Sequence, residues 1–388
     1  MDTRLRAPPF AIVASPWMRV CRASLEQKCE DYVERAQCFQ GVFNYFSCIR
    51  LTMDALSQSQ VDRFCYQYLQ LEQALTYPEP QHLRCSDVQD AIYERLFADG
   101  ALSAGPPPLR YQVRVLKELV SRVEASIEDW DEHGVSDGLM SSLSVLLSTP
   151  APDEADAVQQ KCHVVYHVAS LPDHEAHITL FENRSLISAA GTTGLRTWEA
   201  ALHLGQLLCQ DSSIVSGKRI LELGTGTGYL SILCAKYLNS THIIASDGSD
   251  DVINNLPENF FLNQLEGSSA ITPMDLKWGY ALKGTEEERW NGGRPLDLVL
   301  GADITYDSSI IPDLVSTLLE LFELYPHVEV IIAATQRNLQ TFQVFLEKCE
   351  EEKLKVEDVS FEIPSRDQQQ GPFYNDQVAI RICKVSKL

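Results

Sequence analysis

The chain has 388 residues, enough for two domains, and its 45% hydrophobic and 22% charged content is that of an ordinary globular protein. With 54 acidic against 32 basic residues the net charge is −22, which repels a phosphate backbone and argues against a nucleic-acid partner. No uninterrupted apolar run approaches the ~18 residues of a membrane span, and the 11 cysteines lack C-x-x-C or metal-like spacing, the pattern of reduced thiols in a cytoplasmic protein without a metal.

In chain order, residues 1–50 read as an N-terminal extension without a defined pattern. Residues 51–130 read as a helical domain. Val61, Phe64, Cys65, Tyr68 and Leu69, and likewise Val113, Leu116, Leu119 and Val120, recur at three- and four-residue spacing, with Pro78, Pro80 and Pro106–Pro108 between helices. The aromatic stripe Phe64, Tyr66 and Tyr68 reads as core packing, because aromatic rings dominate helix–helix contacts. Acids, serines and prolines over 131–155 predict a linker, interrupted by the apolar Leu143–Leu147. The second domain then covers 156–388.

That domain opens on two alternating runs, Val164–Val168 and Ile178–Phe181, which predict a strand pair. His163, His167, His174 and His177 gather there; they are expected to be solvated hairpin residues rather than metal ligands. Gly191-Thr192-Thr193-Gly194-Leu195-Arg196-Thr197-Trp198-Glu199 leads into an amphipathic helix with Thr197 as its expected N-cap. From there strands (Arg219–Leu223, His242–Ser246, Ala270–Met274, Leu296–Leu300, Val328–Ala333) alternate with helices (Tyr229–Leu238, Asp251–Leu262, Ile311–Phe322, Leu339–Cys349). The order implies an α/β fold with a parallel sheet covered on both faces. Val356–Ile363 and Gln377–Cys383 follow without a helix between them and should pair antiparallel, making seven strands.

The chain is organised around Glu222-Leu223-Gly224-Thr225-Gly226-Thr227-Gly228, where a buried strand turns sharply into a helix. Glycines allow positive φ and close approach of a ligand, and the helix start offers unpaired N–H groups. Asp247 lies 23 residues beyond Gly224, at the end of the next strand, where a carboxylate can accept from both hydroxyls of a ribose. An adenine dinucleotide and S-adenosylmethionine both fit these features alone. The turn reads G-x-G-x-G, however, where a dinucleotide fingerprint reads G-x-G-x-x-G. Asp275-Leu276-Lys277-Trp278-Gly279 follows the third strand, where Asp275 or a neighbouring backbone group would meet a base edge and Trp278 would cover its face. Gly301-Ala302-Asp303-Ile304-Thr305-Tyr306-Asp307 follows the fourth, at the sheet edge where reacting groups meet.

The acid–glycine turn, Asp247 and the terminal hairpin together resemble the class I (Rossmann-like, seven-stranded) methyltransferases. With Gly191–Glu199 and the Asp-x-x-Tyr of Asp303–Tyr306, the chain resembles the eukaryotic elongation factor 2 lysine methyltransferase family. The resemblance implies S-adenosyl-L-methionine held by Trp198, Gly224, Thr225, Gly226, Asp247, Trp278 and Ala302. It also implies a protein substrate, elongation factor 2, modified on a lysine by a monomeric cytoplasmic enzyme that touches no membrane. Methyl transfer needs an amine with a free lone pair about 3 Å from the methyl carbon, whereas lysine has an ordinary pKa near 10.4. Asp303 is therefore expected to accept a hydrogen bond from the incoming ammonium and orient it. Tyr306 is expected to align the nitrogen, its ring tolerating methylated ammonium through cation–π attraction. An NAD-dependent oxidoreductase and a non-catalytic binding module are the competing readings.

Overall fold

The computed structural model describes residues 53–102, 104–150, 153, 160–184, 193–282, 291 and 293–388; the expected extension over 1–50 lies outside them, as do Gly191 and Thr192. Helices α1 (Ala55–Leu69), α2 (Pro80–Leu83), α3 (Ser86–Leu96), α4 (Leu109–Ser126) and α5 (Asp137–Ser148) come first. The strand pair β1 (Cys162–His167) and β2 (His177–Glu182) follows. Next come α6 (Glu199–Gln210), β3 (Arg219–Leu223), α7 (Tyr229–Lys236), β4 (His242–Asp247), α8 (Asp250–Leu262) and β5 (Ile271–Asp275). The chain closes with β6 (Leu298–Ala302), α9 (Ile311–Leu324), β7 (Glu329–Thr335), α10 (Leu339–Glu351), β8 (Leu354–Val359) and β9 (Ile380–Lys387).

Contacts divide the chain into Met1–Gln58 and Ser59–Leu388. In the first unit, Asp54 accepts from the Leu56 and Ser57 N–H groups at 3.0 Å, satisfying donors at the start of α1. In the second, α4 buries Val115, Leu116, Leu119, Val120 and Val123, the stripe that helical periodicity demands. The aromatic stripe is packing: Phe64 and Tyr68 are buried, and Tyr66 stacks on His167 with ring centroids 3.7 Å apart. That stack corrects the expectation for one hairpin histidine. His167 is buried, and burial lowers its pKa to about 4, while His174 and His177 are exposed.

Inside the stretch expected to link the domains, α5 is a regular helix with Leu139 buried. Gln89 fixes its approach, donating to the Leu83 and Gly134 carbonyls at 2.9 and 3.0 Å and accepting from Ser136 N–H at 2.7 Å. The helical segment grips the stretch between β8 and β9. Arg63 donates to the carbonyls of Arg366 (2.7 Å) and Gln369, and Gln70 brackets the Phe373 backbone, accepting from its N–H at 2.9 Å.

The main sheet has the order β5-β4-β3-β6-β7-β9-β8. β5, β4, β3, β6 and β7 run parallel, and β9 inserts antiparallel between β7 and β8. The last two strands do pair antiparallel, but β8 stops at Val359, short of the expected Ile363. Beyond it, the Phe361 carbonyl meets the buried His203 Nε2 at 3.2 Å in place of a ladder partner. From β3 the chain first adds strands on one side (β4, β5) and then on the other (β6, β7), so the order reverses between β3 and β6. A crevice opens at the carboxyl ends of strands at such a reversal.

Candidate active site

Trp198, Gly224, Thr225, Gly226, Asp247, Trp278, Ala302, Asp303 and Tyr306 all line one cavity of about 310 Å³ at that reversal. The turn after β3 threads between the Thr193–Gly194 segment and the loop after β6. Gly226, with φ +54°, passes so close to Gly194 that a Cβ would lie 3.2 Å from its carbonyl oxygen. At Gly224, φ +64°, a Cβ would lie 2.7 Å from Ile304 Cγ2. Only glycine meets both constraints.

Buried polar groups hold this turn. Glu222 accepts from the hydroxyls of Thr225 (2.7 Å) and Ser231 through one oxygen, and burial raises its pKa to about 7. Thr225 therefore spends its hydroxyl beneath the turn, and its N–H on the Ser246 carbonyl at 2.8 Å. Asp247 accepts from Gly226 N–H on one oxygen (3.2 Å) and from Ser249 N–H on the other (3.0 Å). Burial raises its pKa, and these N–H donors pull it back down. At the base edge, Leu276, Lys277 and Trp278 line the cavity, whereas Asp275 is exposed and does not.

Trp198 is the N-cap residue of α6, displacing Thr197 from that expected role. The reason is a stronger partner. Thr197 is buried and donates its hydroxyl to Glu182 at 2.5 Å, while sharing a 2.7 Å contact with Thr227. Glu182 is wholly buried, its pKa raised by desolvation, and also accepts from Tyr166 at 3.0 Å. The small β1–β2 sheet is thus pinned to the glycine turn through one carboxylate.

Asp303 follows β6 in a left-handed conformation, φ +54°, which Asp tolerates better than most residues. Its carboxylate is almost buried. It accepts from Thr335 N–H (2.7 Å), the Thr335 hydroxyl (2.9 Å) and Ala200 N–H (3.2 Å), and lies 3.6 Å from Arg337 Nη1. Burial pushes its pKa up; Arg337 and these donors oppose that. Tyr306, 54% exposed, stands at the rim. A second cavity of about 260 Å³ shares Thr193, Trp198, Asp303 and Tyr306 with the first and extends over Thr335, Arg337, Asn338, Thr341 and Phe342.

The lysine methyltransferase family matches residues 181–352. Over 337 residues the chain is 55% identical to protein-lysine N-methyltransferase EFM3 of Chaetomium thermophilum, covering 86% of this chain and 100% of that one. Over 243 residues it is 34% identical to EFM3 of Saccharomyces cerevisiae, covering 58% of this chain and 66% of that one. Over 253 residues it is 30% identical to protein-lysine N-methyltransferase EEF2KMT of Homo sapiens, covering 62% and 70%. The chain belongs to the protein-lysine N-methyltransferase family. It is an enzyme, its substrate is a protein, and its methyl donor is S-adenosylmethionine.

The methyltransferase's first cavity fits that donor. Close backbone at Gly224 and Gly226, a carboxylate at Asp247 and the aromatic faces of Trp198 and Trp278 suit a nucleoside joined to an amino acid. Arg196, which the sequence reading did not single out, adds a cation. Its guanidinium lies 4.3 Å from the Trp198 ring centroid, and its buried Nε has no hydrogen-bond partner among the described residues. Arg337 was missed as well. Arg196 stands in the Gly191–Glu199 stretch and was open to notice, but nothing local marks Arg337, which reaches Glu199 and Asp303 from beyond β7. Among the described residues, no helix is long and apolar enough to cross a membrane, and no group of three metal-ligating side chains is assembled.

Proposed function

We propose that the methyl acceptor is a lysine of elongation factor 2 and that it enters through the second cavity. The observation that carries this reading is the wall of Trp198, Asp303 and Tyr306 common to both cavities. A donor on one side and an amine on the other would meet there, and most of the rate would come from that alignment. The human relative's name, EEF2KMT, supports the choice of acceptor.

When bound, S-adenosylmethionine supplies a methyl group on a sulfonium. Asp247 would hold its ribose hydroxyls, Trp278 would cover its base, and Gly224, Thr225, Gly226 and Ala302 would admit it through their backbone. Trp198 and Arg196 would flank its amino-acid end. Among the described residues only Thr335 N–H donates to Asp303 Oδ1, which leaves that oxygen room for one further donor such as the lysine nitrogen. Tyr306 would align the nitrogen at the rim and accommodate a methylated product by cation–π contact. The helices α1 to α5 dock the protein substrate, and the second domain carries the chemistry. The enzyme acts as a cytoplasmic monomer.

The test is incubation of the enzyme with labelled S-adenosylmethionine and purified elongation factor 2, followed by peptide mass spectrometry. Label on one lysine of that factor is expected. Label appearing only on other proteins of a cell extract would overturn the choice of acceptor.

A further inference from the structure

The second cavity holds a positive charge that the reading above does not use. Arg337 leaves the end of β7, pairs with Glu199 at the start of α6, and approaches Asp303 Oδ2 to 3.6 Å. Its guanidinium carbon lies 4.8 Å from the Trp198 ring centroid, and Arg196 lies 4.3 Å from the same ring. Among the described residues, the titratable groups lining this cavity are Asp303 and Tyr306 from the loop after β6 and Arg337 itself. Among the described residues one carboxylate, Asp303, and one guanidinium, Arg337, line the cavity, and a second carboxylate, Glu199, stands behind Arg337.

Such an arrangement sets opposing demands on a lysine. Two carboxylates would draw in the ammonium and hold its proton. That helps binding and hinders chemistry, because a protonated nitrogen has no lone pair to offer. A fixed cation in the same cavity destabilises the ammonium and favours the free amine, the way a neighbouring cation activates an amine nucleophile. Guanidinium suits the task, since it stays charged at every working pH.

We propose that Arg337 is a positioning residue whose charge lowers the proton affinity of the acceptor lysine in the second cavity. It does so directly and by engaging Asp303 and Glu199, so that neither carboxylate is left wholly free to hold the ammonium. The proton lost from the lysine nitrogen passes to water. The lone pair it leaves forms the new N–C bond, and the electron pair of the broken C–S bond stays on sulfur. A unit charge roughly 6 Å away, at an effective dielectric between those of protein and water, moves a pKa by about one unit.

This inference rests on the second cavity being the lysine side. The experiment is a single-turnover rate measured against pH with elongation factor 2 saturating, for wild type, Arg337→Gln and Arg337→Lys. Affinity for S-adenosylhomocysteine and melting temperature serve as controls. Arg337→Gln is expected to move the rising limb about one unit to higher pH, a roughly tenfold loss of rate below the limb. Arg337→Lys is expected to keep the wild-type midpoint even where its rate is lower. If Arg337→Gln does not fold, Arg337→Met is compared with Arg337→Lys in the same way. Slower variants with an unmoved midpoint would reduce Arg337 to holding its neighbours in place, as would Arg337→Lys shifting as far as Arg337→Gln. A wild-type enzyme that methylates no lysine of the factor would instead remove the reading beneath.

Discussion

Glu222 sits under the glycine turn with 2% of its surface exposed, and its substitution by glutamine tests how that turn is held. Burial raises its folded pKa from 4.5 to about 7, the hydroxyls of Ser231 and Thr225 opposing and Asp247 adding a little. A carboxyl group with a raised folded pKa binds its proton more tightly when folded. Its stabilising contribution is complete below about pH 4.5 and is lost as pH rises through 7, which amounts to roughly 3 kcal/mol. Glu222→Gln removes the titration but keeps a carbonyl that both hydroxyls can reach. Urea unfolding of the ligand-free protein at intervals from pH 5 to pH 8 should show the variant gaining on wild type throughout the lower part of that range. The gap should level off above pH 7, at up to about 3 kcal/mol. A constant difference across the range would refute the claim that Glu222 is held protonated near neutrality.

Gly226→Ala should cost about 1–2 kcal/mol through its left-handed φ and should weaken S-adenosylhomocysteine binding at least tenfold, since its Cβ would press on Gly194; calorimetry showing wild-type affinity would contradict the cradle. Asp303→Asn should lower methyl transfer by about 10² or more while leaving cofactor affinity within a few-fold. Equal losses in both would make Asp303 a purely structural tie between β6, β7 and α6. Arg63→Ala should destabilise the protein by about 1–3 kcal/mol, because the Arg366 and Gln369 carbonyls lose their donor. An unchanged denaturation midpoint would show the helical segment to be held by its apolar contacts alone.

What could be read from the sequence was whatever is encoded locally. Three alternate glycines between an apolar run and a helical repeat marked the turn, and Asp303 and Tyr306 were marked by their place after the fourth strand. Strand ends were less legible. β6 runs two residues beyond the apolar Leu296–Leu300, because Gly301 and Ala302 continue the ladder to β7 without any side-chain signal. Long-range polar contacts were not legible at all. Thr197 resembled a helix cap until Glu182 and Thr227 claimed its hydroxyl, and His167 resembled a solvated hairpin residue until Tyr66 covered it. Asp303 is engaged by residues 103 and 32 positions away, Ala200 and Thr335, and no local pattern announces either partner. The helix α5 was hidden by serines and acids, since its order comes from Gln89 and the buried Leu139 rather than from composition.

The central claim is that donor and acceptor compartments meet at a wall made by Trp198, Asp303 and Tyr306. A crystal structure of the chain with S-adenosylhomocysteine tests it most directly, by where the sulfur lies. The account predicts ribose hydroxyls on Asp247 and the sulfur at that wall, facing the cavity of Arg337 and Phe342. A nucleoside seated elsewhere, or a sulfur turned toward Trp278 and away from Tyr306, would contradict it.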